Sequence, residues 1–334
     1  MGADKITILV SRGCRLGKMV RTGGEIASFD KARTFDLFER SIEGLTELGG
    51  WLRWLSDRSD CCVVRGAILD AARTRAVRRL LQRDPKTGDS PTLRDVPRRW
   101  LALDLDSLAL PEYVAPTDLP ACAAVAIERL PPAFRGASCI VQATGSHGIK
   151  PGLRLRLWYW LDRPTTGAEL KAWLCAAPID RSVFGAAQLI YTATPVFVGC
   201  RDHLPRRFAW LSGEATLRMP PSEEALATPS RKPLPQLRIT SHAEAREYAY
   251  AALVQAARRI STAVEGERHS TLIAACCRLT PLLRARVVDE STAREVARRA
   301  AEAAGMDDRR EIDLAISWAF TRTCSCPFGE TENG

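Results

Sequence analysis

Apolar and polar positions alternate from the first residues onward, and Lys5-Ile-Thr-Ile-Leu-Val10 reads as a strand. From Phe35 to Leu55 apolar residues recur at helical spacing, which predicts an amphipathic helix interrupted by Gly49-Gly50. Cys62-Val-Val-Arg65-Gly66 reads as a short strand running into a turn, Arg73 to Arg83 as a basic helical stretch, and Asp84 to Asp95 as a polar loop. Trp100-Leu-Ala-Leu then leads into Asp104-Leu-Asp106, a short buried strand ending in two carboxylates. Past a proline-spaced loop, a helix is expected over 121–130 and a strand over 138–144. After Gly145-Ser146-His147-Gly148 the run Leu153-Arg-Leu-Arg-Leu-Trp-Tyr-Trp-Leu161 alternates again. One face carries leucines and Tyr159, the other Arg154, Arg156, Trp158 and Trp160. The two strands read as an antiparallel hairpin with Ser146 and His147 at its tip. Thr166-Gly-Ala-Glu169 has the form of a capping box opening a helix to about Ala176. Asp180 follows a short hydrophobic step, 188–198 is strand-like, and Phe208-Ala-Trp-Leu211 is the last strand expected before the pattern changes.

From Arg218 to Leu237 there are five prolines and no regular period, which suggests a linker. Beyond it the pattern is helical, with Ser241-His-Ala-Glu244 as a second capping box and helices expected over 242–261, 269–285, 291–304 and 308–322. Gly305 is placed to close the third of these, and Asp308 with Glu311 to open the fourth. The expected organisation is a catalytic domain over 1–217, a linker over 218–240, a helical domain over 241–327 and a tail over 328–334.

Bulk composition narrows the class. At 46% apolar and 26% charged residues the chain reads as a soluble globular protein. The net charge of +9, with arginine in excess, fits a polyanionic partner. Eleven cysteines in 334 residues, an odd number, do not make a disulfide framework and read as buried thiols in a reducing compartment. Cys200-x-x-His203 and Cys324-x-Cys326 could each be half a zinc site, but neither has an evident second half. No apolar run reaches the roughly 18 residues of a membrane span, and the N-terminus has no signal-peptide pattern, so a cytoplasmic protein is expected. Gly13-Cys-Arg-Leu-Gly17-Lys18 superficially suggests a phosphate loop; its glycines are too close together and Met19 follows the lysine, so a turn is expected there.

The candidate chemistry centres on Asp104 and Asp106. Side chains alternate across a strand, so both point to one face with Cα atoms about 6.5–7 Å apart. Two carboxylates so placed can converge on one divalent ion or on a pair. The same spacing also fits a strand end that faces water, and an aspartate pair of this form occurs in metal-dependent glycosyltransferases. Arg154 and Arg156, next to the hairpin tip, make a plausible phosphate cradle.

In order along the chain stand Asp104-x-Asp106, Gly145-Ser146-His147 and Ile179-Asp180. Together they resemble the three motifs of the archaeo-eukaryotic primase superfamily: two aspartates after hydrophobic residues, a histidine two places after a small residue, and a single aspartate after a hydrophobic step. The third is looser here because Pro178 fills a hydrophobic slot. The wording from Gln142 to Gly148, the strand after it and the run from Ile179 to Pro195 are similar to primase-polymerases of phages, plasmids and integrated elements. The resemblance covers about 60–215 well. It implies an α/β (α+β) architecture: an RRM-like catalytic core with a mixed or antiparallel sheet, an N-terminal α/β extension and a C-terminal all-α bundle. It also implies synthesis or extension of primers on single-stranded DNA. Asp104, Asp106 and Asp180 would hold two Mg²⁺ or Mn²⁺ ions, with no organic cofactor. Ser146, His147, Lys150, Arg154 and Arg156 would bind the triphosphate of an NTP or dNTP, and Tyr191 would lie near its sugar. With no helicase motif in the chain, a separate helicase is expected as a partner. The rival expectations are an inactive single-stranded-DNA-binding module and a glycosyltransferase.

Overall fold

A computed structural model describes residues 3–226, 242–263 and 268–321. It divides into two units, Met1–Pro229 and Ser230–Gly334. The architecture is mixed α+β, with several sheets in the first unit and a cluster of helices in the second.

The first unit opens with β1 (Asp4–Ser11), β2 (Met19–Arg21), β3 (Ile26–Ala27) and β4 (Phe35–Ile42), followed by α1 (Leu45–Ser56) and β5 (Cys61–Val64). The helix expected from Phe35 is therefore a strand and then a helix. Phe35, Leu37 and Ile42 are buried and pair across to β1, so tertiary pairing overrides the apparent helical spacing. Extended backbone at Gly44 separates the two elements, and Gly49-Gly50 lie inside α1 rather than breaking it. Gly49 has a packing reason: a Cβ there would stand 3.0 Å from Ile140.

Next come β6 (Ala67–Ile68), β7 (Leu93–Arg94), β8 (Arg98–Leu108), α2 (Leu119–Ile127), β9 (Cys139–Ala143), β10 (Leu153–Thr165) and α3 (Gly167–Trp173). The basic helix expected over 73–83 does not form. The backbone of that stretch pairs with the first sheet instead: Val77 and Phe35 exchange N–H···O bonds at 2.8 and 2.9 Å, and the Leu37 N–H donates to the Thr74 carbonyl at 2.8 Å, while Arg78 pairs with Asp84 and Asp89 and Arg79 donates to the Ala187 carbonyl. The unit ends with β11 (Ile190–Tyr191), β12 (Val196–Val198), β13 (Phe208–Leu211) and α4 (Ser222–Leu226). The chain from 218 to 226, expected as linker, is packed: Met219 and Ala225 are buried. The rest of the expected linker, the Ser241 capping box and Cys324-x-Cys326 lie outside the described residues.

Two four-stranded sheets dominate, in the orders β11-β5-β1-β4 and β13-β9-β10-β8. The second is antiparallel throughout and runs β-α-β-β-α-β along the chain. Its central strands are covered on both faces. Phe134 packs on Tyr159 from one side, and Ile140 lies close to α1 on the other. The arginine and tryptophan face of β10 is therefore interior: Trp158 and Trp160 are buried, and Trp158 donates from Nε1 to Gln142 Oε1 at 3.0 Å.

β8 is anchored at its start. Arg98 is 4% exposed. Its guanidinium donates to the Arg65 and Gly66 carbonyls and Thr7 Oγ, and pairs with Asp4 at 3.2 Å. Trp100 Nε1 donates to the Lys5 carbonyl at 3.0 Å, and Arg65 donates to the carbonyls of Trp100 and Thr165. Burial and then the Arg98 guanidinium lower the pKa of Arg65 to about 10, which leaves it charged at neutral pH. This clasp ties the carboxylate-bearing strand to the first sheet.

The second unit contains α5 (His242–Ser261), α6 (Arg268–Arg284), α7 (Glu290–Ala303) and α8 (Arg309–Thr321). They enclose a core that includes Ile260, Leu272, Leu279, Ile312 and Ile316. Gly305, at φ +83°, closes α7, and Asp308 Oδ1 accepts from the backbone N–H groups of Arg310 and Glu311 to open α8.

Candidate active site

The register of β8 against β10 sets the site. Asp104 stands opposite Arg156 and Asp106 opposite Arg154, and directly opposed residues share a face. Arg156 donates from NH2 to Asp104 Oδ2 at 2.6 Å and from NH1 to the Tyr191 carbonyl. Arg154 reaches Asp106 Oδ1 at 3.4 Å. The two pairs differ in setting. The Arg156 and Asp104 side chains are 7% and 15% exposed, whereas Asp106 is 56% exposed. Even so, desolvation and then the Asp104 carboxylate raise the Asp106 carboxyl above its ordinary pKa, against the pull of Arg154, Lys18 and Arg156.

Asp104 Oδ1 is buried and has no hydrogen-bond partner. A buried carboxylate oxygen left in that state is costly, and a divalent cation between Asp104 and Asp106 would satisfy it. The pair therefore fits a hard metal ion. The third carboxylate is nearby in backbone only. The Asp180 N–H donates to the Asp104 carbonyl at 2.9 Å, but the Asp180 side chain accepts from the N–H and Oγ of Ser182, both at 2.8 Å. Gly167 keeps that turn close to α3, since a Cβ there would lie 2.2 Å from the Phe184 carbonyl. Among the described residues no group of three or more His, Cys, Asp and Glu is placed to hold a metal ion.

Ser146 and His147 lie in the turn between β9 and β10, each 1% exposed. Both nitrogens of His147 are engaged. Nε2 lies 2.9 Å from the Pro116 carbonyl, and the Arg154 N–H donates to Nδ1 at 3.2 Å. A carbonyl only accepts and an N–H only donates, so the ring is neutral with its proton on Nε2. The imidazole thus joins the loop after β8 to the start of β10 and steadies the backbone of Arg154. Burial first, and the Arg207 and Arg154 charges after it, lower the His147 pKa, outweighing the Pro116 contact. The unfolded chain binds the proton more readily, so this contribution to stability is intact above the ordinary histidine pKa of about 6.5 and is lost as pH falls below it. Thermal unfolding between pH 7 and pH 5 should fall more steeply for the wild type than for His147→Gln. Parallel profiles would remove this role.

Lys150 is exposed, with its N–H on the Ser146 carbonyl at 3.0 Å. Tyr191 stacks on Phe29 at 3.6 Å between ring centroids. One residue at this site is absent from the expected set: Lys18 donates from Nζ to Ser146 Oγ at 3.3 Å, from the start of β2. Its only signal in the sequence was the false phosphate loop that ends on it. Cys200 donates to the Val20 carbonyl and forms no metal cluster among the described residues.

No family model matches the sequence, and no curated protein matches it. Among solved structures the chain is similar to one described as the crystal structure of primase RepB', with 13% identity, 96% of this chain and 91% of that chain covered, and a TM-score of 0.28. Similarity at that level leaves the functional reading to this chain's own residues. No helix among the described residues is long and apolar enough to cross a membrane.

Proposed function

We propose that the chain is a template-directed nucleotidyltransferase that makes or extends primers on single-stranded DNA, serving a mobile element and working with a separate helicase. The observation that carries the reading is the facing of Asp104-x-Asp106 and Arg154-x-Arg156 on neighbouring strands, beside the Ser146 turn. Carboxylates suited to a divalent cation and cations suited to a polyphosphate share one face, which is the requirement of phosphoryl transfer. The order of the three motifs along the chain supports the same reading. Asp104 and Asp106 would hold Mg²⁺ or Mn²⁺, joined by Asp180 if its carboxylate leaves Ser182. Bound there, the ions would lower the pKa of an attacking 3′-hydroxyl and offset charge on the departing pyrophosphate.

The protein's own work is positioning. Arg154, Arg156, Lys150 and Ser146 orient the triphosphate of the incoming NTP or dNTP, and His147 fixes Ser146 and Arg154 relative to each other. Tyr191, its carbonyl bonded by Arg156, would lie near the nucleotide sugar. The test is synthesis on circular single-stranded DNA with labelled nucleotides and Mg²⁺ or Mn²⁺, with and without a primer. Products in either arm support nucleotidyl transfer, and the primer-free arm separates initiation from extension. Single-stranded DNA bound with no product in either arm would overturn the enzymatic reading in favour of a binding module.

A further inference from the structure

The segment dismissed as a failed phosphate loop ends at the site. Lys18 is fixed by its own backbone, because its carbonyl accepts the Val196 N–H at 2.8 Å where β2 begins to pair with β12. Its ammonium donates to Ser146 Oγ, lies 5.7 Å from the Phe29 ring centroid, and feels the charges of Asp106, Asp104, Lys150 and Arg154. A half-buried lysine needs compensation for its lost hydration. The two carboxylates favour its charge and the two cations oppose it, so together they supply only part of it. The arrangement is that of a cation set waiting for a larger anion.

The stem of Lys18 lies across Gly145. A Cβ at position 145 would stand 3.0 Å from Lys18 Cδ, 3.2 Å from its Cβ and 3.3 Å from its Cγ. Gly145 is not among the glycines with positive φ, so what the position requires is space rather than an unusual backbone. This gives a physical reason for the small residue before Ser146-His147.

We propose that Lys18 binds the triphosphate of the nucleotide together with Ser146, and that Gly145 is small in order to seat the Lys18 side chain. The identity of the ligand rests on the nucleotidyl-transfer reading; the geometry of the cation does not. The small sheet of β2, β3 and β12 thereby contributes directly to substrate binding.

The test is equilibrium binding of a fluorescent deoxynucleoside triphosphate to the full chain, with inorganic tripolyphosphate and the unphosphorylated nucleoside as competitors. Lys18→Met keeps the apolar stem and removes the charge. It should weaken triphosphate binding about 10- to 100-fold, the range for losing a charged hydrogen bond, without changing competition by the nucleoside. Lys18→Arg should restore most of the affinity. Gly145→Val should produce a similar loss in the wild-type background and little further loss on Lys18→Met, since both act on one contact. Lys18→Gln repeats the comparison should Lys18→Met unfold.

Triphosphate affinity unchanged in Lys18→Met, in a chain that still synthesises DNA, would overturn this inference alone. Full additivity of Gly145→Val with Lys18→Met would overturn the role given to Gly145. A wild type that binds no triphosphate would overturn both this inference and the enzymatic reading beneath it.

Discussion

Asp104→Asn is expected to reduce nucleotide incorporation on single-stranded DNA by on the order of a thousand-fold, the scale of losing a principal charge-stabilising group at a phosphoryl-transfer site. The substitution keeps the side-chain volume and removes the charge. It acts on the more enclosed of the two carboxylates, the one whose Oδ1 has no partner while Oδ2 holds Arg156. Arg156 is 7% exposed and would lose the Asp104 carboxylate, although an asparagine oxygen can still accept from NH2 and the Tyr191 carbonyl still accepts from NH1. Some loss of stability should therefore accompany the loss of activity. Asp106→Asn separates the two effects: its carboxylate is mostly exposed and its pairing with Arg154 is longer, so activity should fall with little change in unfolding temperature. Incorporation rates measured beside thermal unfolding for both variants decide the matter. Wild-type rates in a folded Asp104→Asn protein would remove this pair from the chemistry.

Arg98→Met should destabilise the first unit by about 3–5 kcal/mol, the cost of breaking a buried ion pair and abandoning its partner. The methionine fills much of the space but leaves Asp4 without the cation at 3.2 Å, and it leaves the Arg65 carbonyl and Thr7 Oγ1 without that donor, while the Gly66 carbonyl keeps the Thr7 hydroxyl at 2.6 Å. Among the described residues Asp4 keeps the Arg99 N–H and its contact with the Lys5 N–H. Urea unfolding followed by tryptophan fluorescence would report it, since Trp318 alone of the eight tryptophans belongs to the second unit. A shift below about 1 kcal/mol would mean that Trp100 and the strand pairing hold β8 without the clasp.

Much of this was legible from the sequence because it depends on local spacing. The hairpin strands, the Thr166 capping box and the four C-terminal helices follow from periodicity and end signals within one segment, and the structure agrees with them to within a few residues. The facing of Asp104 and Asp106 follows from strand alternation alone. Other features depended on what lies across the fold. Phe35–Ile42 is a strand because β1 is beside it, which no window around Phe35 contains. Arg98 looks like a surface residue until Asp4, Thr7 and Arg65 surround it. His147 was expected to reach for phosphate, yet its two nitrogens meet Pro116 and Arg154, contacts that exist only once the turn has folded. Lys18 lies 128 residues from Ser146, and a pairing of that range leaves no local trace.

The position of β8 has a consequence beyond chemistry. It is the last strand of its sheet, and groups from outside that sheet bond its main chain, Arg65 at the Trp100 carbonyl and the Asp180 N–H at the Asp104 carbonyl. A terminal strand with open main-chain groups is a template for a neighbouring molecule. The turn that carries Asp180 is thus also a stopper, and damage to it would surface as self-association in concentrated solution before any question of catalysis arose.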